Sequence, residues 1–261
     1  MTVSLCEIVS PIYRIKLGVT TISFNCPNRI TFWRAQSLFS KEPDTIEWID
    51  SFEKGEVLFD IGANVGTYSL YAASKGSKVY AFEPESQNYA LLNQNVYLNN
   101  LSYKITALNI ALSNQSKLGH LNMQNFMPGS ALHNMDSNLD FNKKEFAPAF
   151  KQSVLSLTLD DLISLYALEV PNHLKIDVDG GERSIIEGAS KTLAHPKLKS
   201  VLIELNIDLA EDREIIDLLK EKGFSVVRKY HAPMLDKGIF ANCYNFTFSR
   251  NSAIPLVREF S

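Results

Sequence analysis

The residues best suited to binding a small molecule follow the apolar run VLFDI at 57–61. Asp60 lies near the end of that run, and Gly62, Asn64 and Gly66 lie in the turn that comes next, before a helical pattern. Glycine has no Cβ, so the chain can turn sharply there and approach a ligand closely. The first N–H groups of a helix are free to bind a carboxylate or a phosphate. The pattern predicts a strand, a ligand-binding turn and a helix.

A second chemical group follows the next apolar run. Glu83 comes directly after KVYAF at 78–82. A carboxylate at the end of this strand can accept hydrogen bonds from both hydroxyls of a ribose. Together with the glycine turn, Glu83 makes a nucleoside-containing cofactor the first hypothesis for the ligand.

The spacing within the turn argues against two common nucleotide sites. A dinucleotide fingerprint needs G-x-G-x-x-G, but Asn64 and Thr67 occupy its second and third glycine positions. No Gly-Lys-Ser/Thr follows, so a triphosphate-binding loop is not indicated. Asp60 instead suits a cofactor that carries an ammonium group and no phosphate, as S-adenosylmethionine does. The structural alternative is a plain α/β turn in which Asp60 caps the helix.

Composition narrows the class of protein. The chain has 261 residues, of which 45% are hydrophobic, and this size and composition fit one globular domain. Its net charge of -3 gives no general attraction to nucleic acid or to an anionic membrane. Cys6, Cys26 and Cys243 lie far apart and include no C-x-x-C, so they predict neither a disulfide framework nor a zinc site. There is no signal-peptide pattern and no run of ~18 apolar residues. We expect a cytoplasmic protein that acts on a small-molecule or glycan acceptor, with no nucleic-acid partner and no membrane span.

Strand and helix patterns alternate along most of the chain. The apolar runs lie at 57–61, 78–82, 105–110, 173–178 and 200–205, and the helical patterns at 65–75, 86–98, 158–167, 182–194 and 209–222. This alternation predicts an α/β fold with a doubly wound, mostly parallel sheet and helices on both faces. The final runs, FSVVRKY and CYNFTFS, have no helical pattern between them and predict an antiparallel C-terminal edge.

The sequence before the first strand of this alternation reads differently. Residues 1–52 contain the β-prone runs IYRIKL, VTTISF and RITFW and then a short helical pattern at 42–52. They predict a short β-rich preface to a ligand-binding domain at 53–261.

A long polar stretch interrupts the domain at 113–152. Connections of this length are uncommon in compact domains, and because it follows the third strand at the ligand-binding edge we expect a lid rather than disorder. Within it, residues 123–152, including Ser130 and His133, would close over the acceptor after it binds. Lys41 and Glu42 would form the opposite wall.

Several motifs resemble those of the FkbM-type methyltransferases, a branch of the class I S-adenosylmethionine-dependent enzymes. They lie between about residue 38 and residue 206 and read FDIGANVGTYSLYAA, AFEPES, IAL at 110–112, LDDL at 159–162, LKIDVDGGERSIIEGA at 174–189 and IEL at 203–205. The family usually has Glu and Ala where this chain has Asp179 and Gly181.

The resemblance implies a Rossmann-like class I methyltransferase fold with S-adenosylmethionine as cofactor. It also implies methyl transfer, usually to an oxygen and often on a sugar or a natural-product scaffold. By the same analogy Asn109 or Ala111, at the end of the third strand, lies beside the adenine.

Methyl transfer to a hydroxyl needs alignment of the reacting atoms and removal of a proton. Asp177 and Asp179 follow the fourth strand, and Glu204 and Asn206 follow the fifth, so parallel pairing brings them to one crevice. Asp177 or Asp179 is the candidate base, with helix capping as the structural alternative for Asp179. His133 is a further candidate.

A metal offers a second route to the same chemistry. Asp177, Glu204 and Asn206 would supply the oxygen ligands that a divalent cation such as magnesium prefers, and the cation would lower the pKa of the acceptor hydroxyl. We favour direct proton transfer over this arrangement.

Two other functions share part of the pattern. A non-catalytic nucleoside-binding regulatory module would keep Asp60, the glycines and Glu83 but would not need the crevice of carboxylates. An NAD-linked oxidoreductase would share Glu83 but would need the glycine pattern that is missing here.

Overall fold

The computed structural model describes residues 11–140 and 142–250, so Cys6 lies outside the described residues. The chain begins with an antiparallel hairpin of β1 (Ile12–Leu17) and β2 (Thr20–Asn25), followed by helices α1 (Arg29–Gln36) and α2 (Pro43–Asp50). The hairpin and the helices form the β-rich preface.

The prediction of a β-run in RITFW is wrong, because this segment forms α1. A capping box begins the helix: the Thr31 N–H donates to Asn28 Oδ1 at 2.9 Å, and the Asn28 N–H donates to Thr31 Oγ1 at 3.3 Å. These bonds satisfy two backbone donors at the helix start. Ala35 on the same helix is fully buried. Capping and burial override the β-propensity of the isoleucine and the aromatic residues.

The alternating part of the fold starts with β3 (Val57–Ile61), α3 (Thr67–Lys75), β4 (Lys78–Phe82), α4 (Ser86–Leu98) and β5 (Ile105–Leu108). The three strands pair in parallel. Every residue of β3 is buried, and its side chains alternate between two core clusters, since Phe59 and Ile61 lie in one and Leu58 in the other. The strand is therefore covered on both faces, as a doubly wound sheet requires.

The stretch at 113–152 contains regular structure that its polar composition did not indicate. The strands β6 (Ala111–Leu112), β7 (Lys117–Met123), β8 (Asn134–Met135) and β9 (Phe150–Leu157) form a four-stranded sheet in the order β6-β9-β7-β8. Strands β7 and β9 are antiparallel along their length and bury a small apolar cluster of their own. Much of the insertion is thus an ordered sheet, and its central loop lies beside the end of β3.

The rest of the chain returns to the central sheet. Its elements are α5 (Leu159–Tyr166), β10 (His173–Ile176), α6 (Glu182–Glu187), α7 (Ser190–Ala194), β11 (Ser200–Asn206), α8 (Ala210–Glu221), β12 (Ser225–Tyr230), a 3₁₀ turn at Pro233–Leu235 and β13 (Cys243–Ser249).

The prediction of one helix over 182–194 is wrong, because α6 ends at Gly188. A Cβ on Gly188 would lie 2.1 Å from the carbonyl oxygen of Ser113. The glycine thus permits a close backbone approach where α6 ends.

The central sheet has the strand order β12-β13-β11-β10-β3-β4-β5. All neighbouring pairs are parallel except those of β13, which is antiparallel to both β11 and β12. This arrangement confirms the doubly wound, mostly parallel α/β fold with an antiparallel C-terminal edge. The carboxyl ends of β3, β4, β5, β10 and β11 meet along one edge, where parallel α/β sheets bind ligands. Within residues 11–140 and 142–250, no helix has the length and apolar character needed to cross a membrane.

Candidate cofactor and acceptor site

The glycine turn after β3 is held against β4 by its own backbone. The N–H groups of Gly62 and Ala63 both donate to the carbonyl of Phe82 at 3.0 Å. Gly62 has φ +82°, and a Cβ there would lie 1.8 Å from the carbonyl oxygen of Asp177. No other residue type fits this position without moving the backbone after β10. The turn therefore lies tightly between β4 and β10.

Glu83 fixes the turn from the other side. Its Oε2 accepts the N–H of Asn64 at 2.7 Å, and its Oε1 accepts the N–H of Glu85 at 2.9 Å. The side chain is almost fully buried, and burial raises its pKa to about 7 although these two hydrogen bonds act in the opposite direction. Each oxygen retains a lone pair, so the carboxylate can still accept hydrogen bonds from a ligand.

A first cavity opens beside Glu83 and the turn. Its polar wall includes Glu83 and Asn64, and its apolar wall is built by residues around β5 to β8, among them Ile110, Ala111, Leu112, Leu121 and Met135. A carboxylate at one end and an apolar surface at the other match the ribose and the base of a nucleoside.

The two residues expected beside the adenine differ in position. Ala111 lines the first cavity. Asn109 does not line it, and its amide instead donates to the carbonyls of Glu83 and Pro84 at 2.8 and 3.0 Å. Asn109 therefore holds the backbone that carries Glu83.

Asp60 lies behind the turn rather than in the cavity. It is 1% exposed, and its Oδ2 accepts the hydroxyl of Ser69 at 2.5 Å. Its partner across the β3–β10 pair is Lys175. Burial raises the pKa of Asp60, and the nearby Lys175 opposes this shift. Enclosed in this way, Asp60 is placed to position α3 through Ser69 rather than to meet the ammonium group of a ligand directly.

Asp177, just past the end of β10, faces the cavities instead. Its Oδ2 accepts from Lys175 Nζ at 2.8 Å, and 27% of its side chain is exposed. Burial alone would raise its pKa, but the positive charges of Lys175 and Lys41 bring it down to about 2. Asp177 is thus ionised at neutral pH and is a weak base.

Asp179 has a different environment two residues later. Its Oδ2 accepts the N–H of Leu132 at 2.8 Å, and burial together with the charge of Asp177 raises its pKa. Its backbone has φ +60°, and Asn64 and Leu132 nearby have φ +51° and +65°. Non-glycine residues in the left-handed region tend to occur at functional sites. Here all three line cavities.

A second cavity adjoins the first at these carboxylates. It is lined by Trp33, Arg34 and Lys41 from the preface and by Glu204 from β11. Asp177 and Asp179 line both the first and the second cavity. They stand where a ligand in one cavity meets a ligand in the other.

Residues 128–133, which we call the covering segment, close the top of both cavities. Asn64 and Asn88 donate from their amides to the carbonyl of Ser130 at 2.8 and 3.0 Å, and Arg34 Nε donates to the carbonyl of Gly129 at 2.6 Å. These bonds tie the segment to the glycine turn, to α4 and to α1. Leu132 ties its other end to Asp179.

His133, at the end of the covering segment, lines the first cavity. Among the described residues neither ring nitrogen, both of them buried, has a hydrogen-bond partner. Burial together with the charge of Arg34 lowers the pKa of His133 to about 4. The imidazole is therefore neutral at neutral pH. Its position is on the nucleoside side of Asp179, so its role as an acceptor base stays a prediction.

The residues considered for a metal do not make a suitable donor set. The Lys175 ammonium occupies Asp177 Oδ2, and Asn206 uses its Nδ2 for Asn142 and its Oδ1 for the N–H of Asp208. Burial and the nearby charge of Asp177 raise the pKa of Glu204 well above its usual range. Among the described residues there is no group of three or more His, Cys, Asp or Glu side chains placed to hold a metal ion.

Comparison with known proteins agrees with this geometry. A family model described as the methyltransferase FkbM domain matches residues 60–226, which is more than half of the chain. The chain belongs to the FkbM methyltransferase family. It is a methyltransferase of that family.

Two relatives of this FkbM methyltransferase illustrate the range of the family. Methyltransferase sdnD of Sordaria araneosa is 30% identical over 66% of this chain and 74% of its own length. Hexuronic acid methyltransferase AglP of Haloferax volcanii is 23% identical over 74% of this chain and 73% of its own length.

Two solved structures share the fold of this FkbM methyltransferase. A methyltransferase FkbM from Methylobacillus flagellatus KT has a TM-score of 0.51 at 16% identity and covers 75% of this chain, whereas this chain spans only 44% of that one. Magnesium protoporphyrin IX methyltransferase (ChlM) from Synechocystis PCC 6803, with bound SAM, has a TM-score of 0.50 at 13% identity and covers 87% of this chain and 86% of its own. At these identities the likeness shows a shared class I methyltransferase fold.

The site of this FkbM methyltransferase includes residues that sequence patterns did not indicate. Arg34 directly follows the run RITFW, which was predicted as a strand, Lys175 lies between Leu174 and Ile176 in β10, and Asn88 lies in the first turn of α4. Only the LKID motif, which places Lys175 two residues before Asp177, carried a usable signal, because alternate strand residues share a face.

Proposed function

We propose that this FkbM methyltransferase methylates a hydroxyl oxygen of a sugar or a natural-product scaffold, with Asp179 as the base. The observation that carries the proposal is that two cavities meet at Asp177 and Asp179. One cavity has the polar and apolar ends that a nucleoside needs, and the other has room for an acceptor.

The residues of the first cavity fit S-adenosylmethionine. The Glu83 carboxylate would accept the ribose hydroxyls, and Ala111 and its apolar neighbours would contact the adenine. Gly62 lets the turn lie directly against the backbone of Asp177. When bound, the cofactor supplies an electrophilic methyl group. The chain's own task is then to orient the acceptor and to remove its proton.

Asp179 suits this task better than Asp177. A general base works best when its pKa lies near the working pH. The pKa of Asp179 is raised, whereas that of Asp177 is held down to about 2 by Lys175 and Lys41. Within the part of the chain that the structure describes, Leu132 engages one Asp179 oxygen and the other has no partner, so it can accept the hydroxyl proton. Asp177 would act beside it as a fixed negative charge.

The walls of the second cavity favour a hydroxylated acceptor. The indole of Trp33 is 42% exposed there and offers a flat apolar surface, while carboxylates opposite it offer acceptors for hydroxyl donors. The hexuronic acid methyltransferase AglP acts on an acceptor of this class. We also propose that the covering segment excludes water over the two ligands, as part of a lid at 123–152.

A methyl-transfer assay with Asp179→Asn tests the proposal. Wild-type protein with S-adenosylmethionine and a panel of hexuronic acids, neutral sugars and polyhydroxylated scaffolds should give a product heavier by one methylene unit. The product should survive mild alkali, since an ether does and a methyl ester does not. Asp179→Asn should lower turnover by ~100-fold or more, the contribution expected from a general base.

Asp217→Asn, the same change on the exposed face of α8, is the matched control and should keep full activity. Full turnover in Asp179→Asn would remove Asp179 as the base. Cofactor binding without transfer to any acceptor in the panel would favour the non-catalytic regulatory module.

A further inference from the structure

The charges of this chain are unevenly distributed. The whole chain has a net charge of -3, yet residues 11–41 contain no Asp or Glu and five basic residues, which are Arg14, Lys16, Arg29, Arg34 and Lys41. Arg14, Lys16 and Arg29 are exposed, and none of the three has an ion-pair partner among the described residues. The preface is therefore a local basic surface on an otherwise acidic protein.

One face of α1 combines a cation with aromatic side chains. Four exposed residues follow the i, i+3, i+4, i+7 spacing of a single helix face and are called the docking face: Arg29, Phe32, Trp33 and Gln36. Phe32 is 40% exposed and Trp33 is 42% exposed. Aromatic rings beside basic residues on an exposed helix face are typical of helices that lie on a membrane surface.

The docking face continues into an open groove between α1 and β1. The rings of Tyr13 and Phe32 meet edge to face with their centroids 5.2 Å apart, so the helix and the strand lie side by side. Ile12, Tyr13 and Phe32 give the groove apolar walls, and Arg29 is the charged residue of its lining within the described part of the chain. Apolar walls with a cation beside them match a phospholipid, in which an anionic headgroup adjoins acyl chains.

The docking face also adjoins the second cavity. Trp33 belongs to the face and lines that cavity, and Arg34, the next residue, lines it as well. A surface that contacts the docking face would therefore lie beside the cavity assigned above to the acceptor.

We infer that the docking face binds an anionic phospholipid surface and holds the second cavity beside it, so that the acceptor is a lipid-anchored sugar or scaffold. The statement about the acceptor rests on the proposed function. The cations of the preface are attracted to anionic headgroups, and the rings of Phe32 and Trp33 suit the interface. The acidic remainder of the chain is repelled by the same surface, which orients the preface towards it. A polyanion such as a sulfated polysaccharide would also attract the cations, but it has no acyl chain to fill the apolar groove.

Sedimentation of the whole protein with vesicles tests the inference without cofactor or acceptor. The vesicles would contain phosphatidylcholine alone or phosphatidylcholine mixed with phosphatidylglycerol. Wild-type protein should bind only the anionic vesicles, and added salt should weaken the binding.

Arg29→Glu should lower the partition coefficient by about tenfold or more, because it removes a cation from the anionic surface and adds a repelled charge. The matched control is Lys54→Glu, since Lys54 is exposed and precedes β3, at the end of the strand opposite the cavities. Phe32→Ser should weaken binding by about threefold or more through lost apolar burial. Leu165→Ser, at a 68% exposed position of α5, should have no effect.

Tryptophan emission identifies the surface that touches the vesicle. The chain has two tryptophans, and Trp33 is 42% exposed whereas Trp48 is 3% exposed. Anionic vesicles should shift the emission to shorter wavelength, and Trp33→Phe should abolish the shift.

Vesicle binding by Arg29→Glu as tight as that of wild type, or binding without a shift of the emission, would overturn the inference by placing the contact elsewhere. No binding of wild-type protein to anionic vesicles would also overturn it, and retention on immobilised heparin would then assign the cations to a polyanion. These outcomes leave the proposed function standing. Failure of the wild-type protein to bind S-adenosylhomocysteine, the demethylated cofactor, would instead reject the proposed function.

Discussion

The ammonium group of Lys175 lies 2.8 Å from Asp177 Oδ2, and the lysine is only 1% exposed. It also lies 5.0 Å from the centre of the Tyr68 ring and beside Asp60 on the neighbouring strand. One buried cation thus serves two carboxylates, one behind the glycine turn and one facing the ligand. This arrangement keeps Asp177 charged at the centre of the site.

Replacing Lys175 should therefore destabilise the fold strongly. Lys175→Met leaves the charge of Asp177 without its cation, and breaking a buried pair typically costs about 3–5 kcal/mol. Urea unfolding would measure the free energy of unfolding. The double variant Lys175→Met/Asp177→Asn should lose less than the sum of the two single changes, because the uncompensated charge is gone.

Lys78→Met is the control for this experiment. Lys78 pairs with Glu169 at the surface, where both side chains are more than 40% exposed, so its loss should cost at most about 1 kcal/mol. Equal losses of stability in Lys175→Met and Lys78→Met would contradict the role assigned to Lys175.

The contact between Gly62 and the backbone of Asp177 leads to a second prediction. Gly62→Ala should cost about 3 kcal/mol or more and should weaken cofactor binding, since the new Cβ must push Asp177 out of place. Gly55→Ala is the control, because Gly55 has a left-handed backbone like that of Gly62, with φ +90°. A Cβ added at Gly55 would have no atom within 4 Å. It should cost only the left-handed penalty of about 1–2 kcal/mol.

Thermal and urea unfolding would measure the stability of the two glycine variants, and calorimetry would measure their affinity for S-adenosylhomocysteine. The comparison separates the clash between the new Cβ and Asp177 from the strain of a left-handed alanine. A Gly62→Ala protein as stable as Gly55→Ala, with unchanged affinity, would show that the turn can relax away from Asp177.

Sequence patterns predict the parts of this fold that local signals determine. Gly62, Gly66 and Glu83 follow short apolar runs, and a strand followed by a polar turn can be recognised without knowing what packs against it. The strands β3 and β4 match their predicted bounds for this reason.

The features that sequence patterns did not predict depend on contacts between segments that are distant in the chain. The pairing of Lys175 with Asp60 follows from the register of β3 and β10, which no local pattern determines. Arg34 was missed because its segment is rich in β-prone residues, although the Asn28 and Thr31 capping box begins a helix there. The roles of Asp177 and Asp179 differ because Lys175 and Leu132 contact them, and neither contact is visible in the spacing of the two carboxylates.

The raised pKa of Glu83 predicts that cofactor binding depends on pH. In the ligand-free protein burial raises this pKa to about 7, so the carboxyl is increasingly protonated below that pH. Ribose hydroxyls donate to the ionised form, which means that the pKa is lower in the complex than in the free protein. Binding below about pH 7 must therefore expel a proton, and affinity for S-adenosylhomocysteine should fall by up to ~10-fold per pH unit there and level off above it.

Calorimetry from about pH 6 to about pH 8, in buffers with different ionisation enthalpies, would measure both the affinity and the proton released. Glu83→Gln should bind more weakly at every pH and should lose the slope, because glutamine does not titrate. Other buried carboxyls with raised pKa, such as Asp44 and Glu182, remain in that variant, so it isolates the contribution of Glu83. A wild-type affinity that does not change across this range, or a Glu83→Gln protein that keeps the wild-type slope, would assign the ribose hydroxyls to another group.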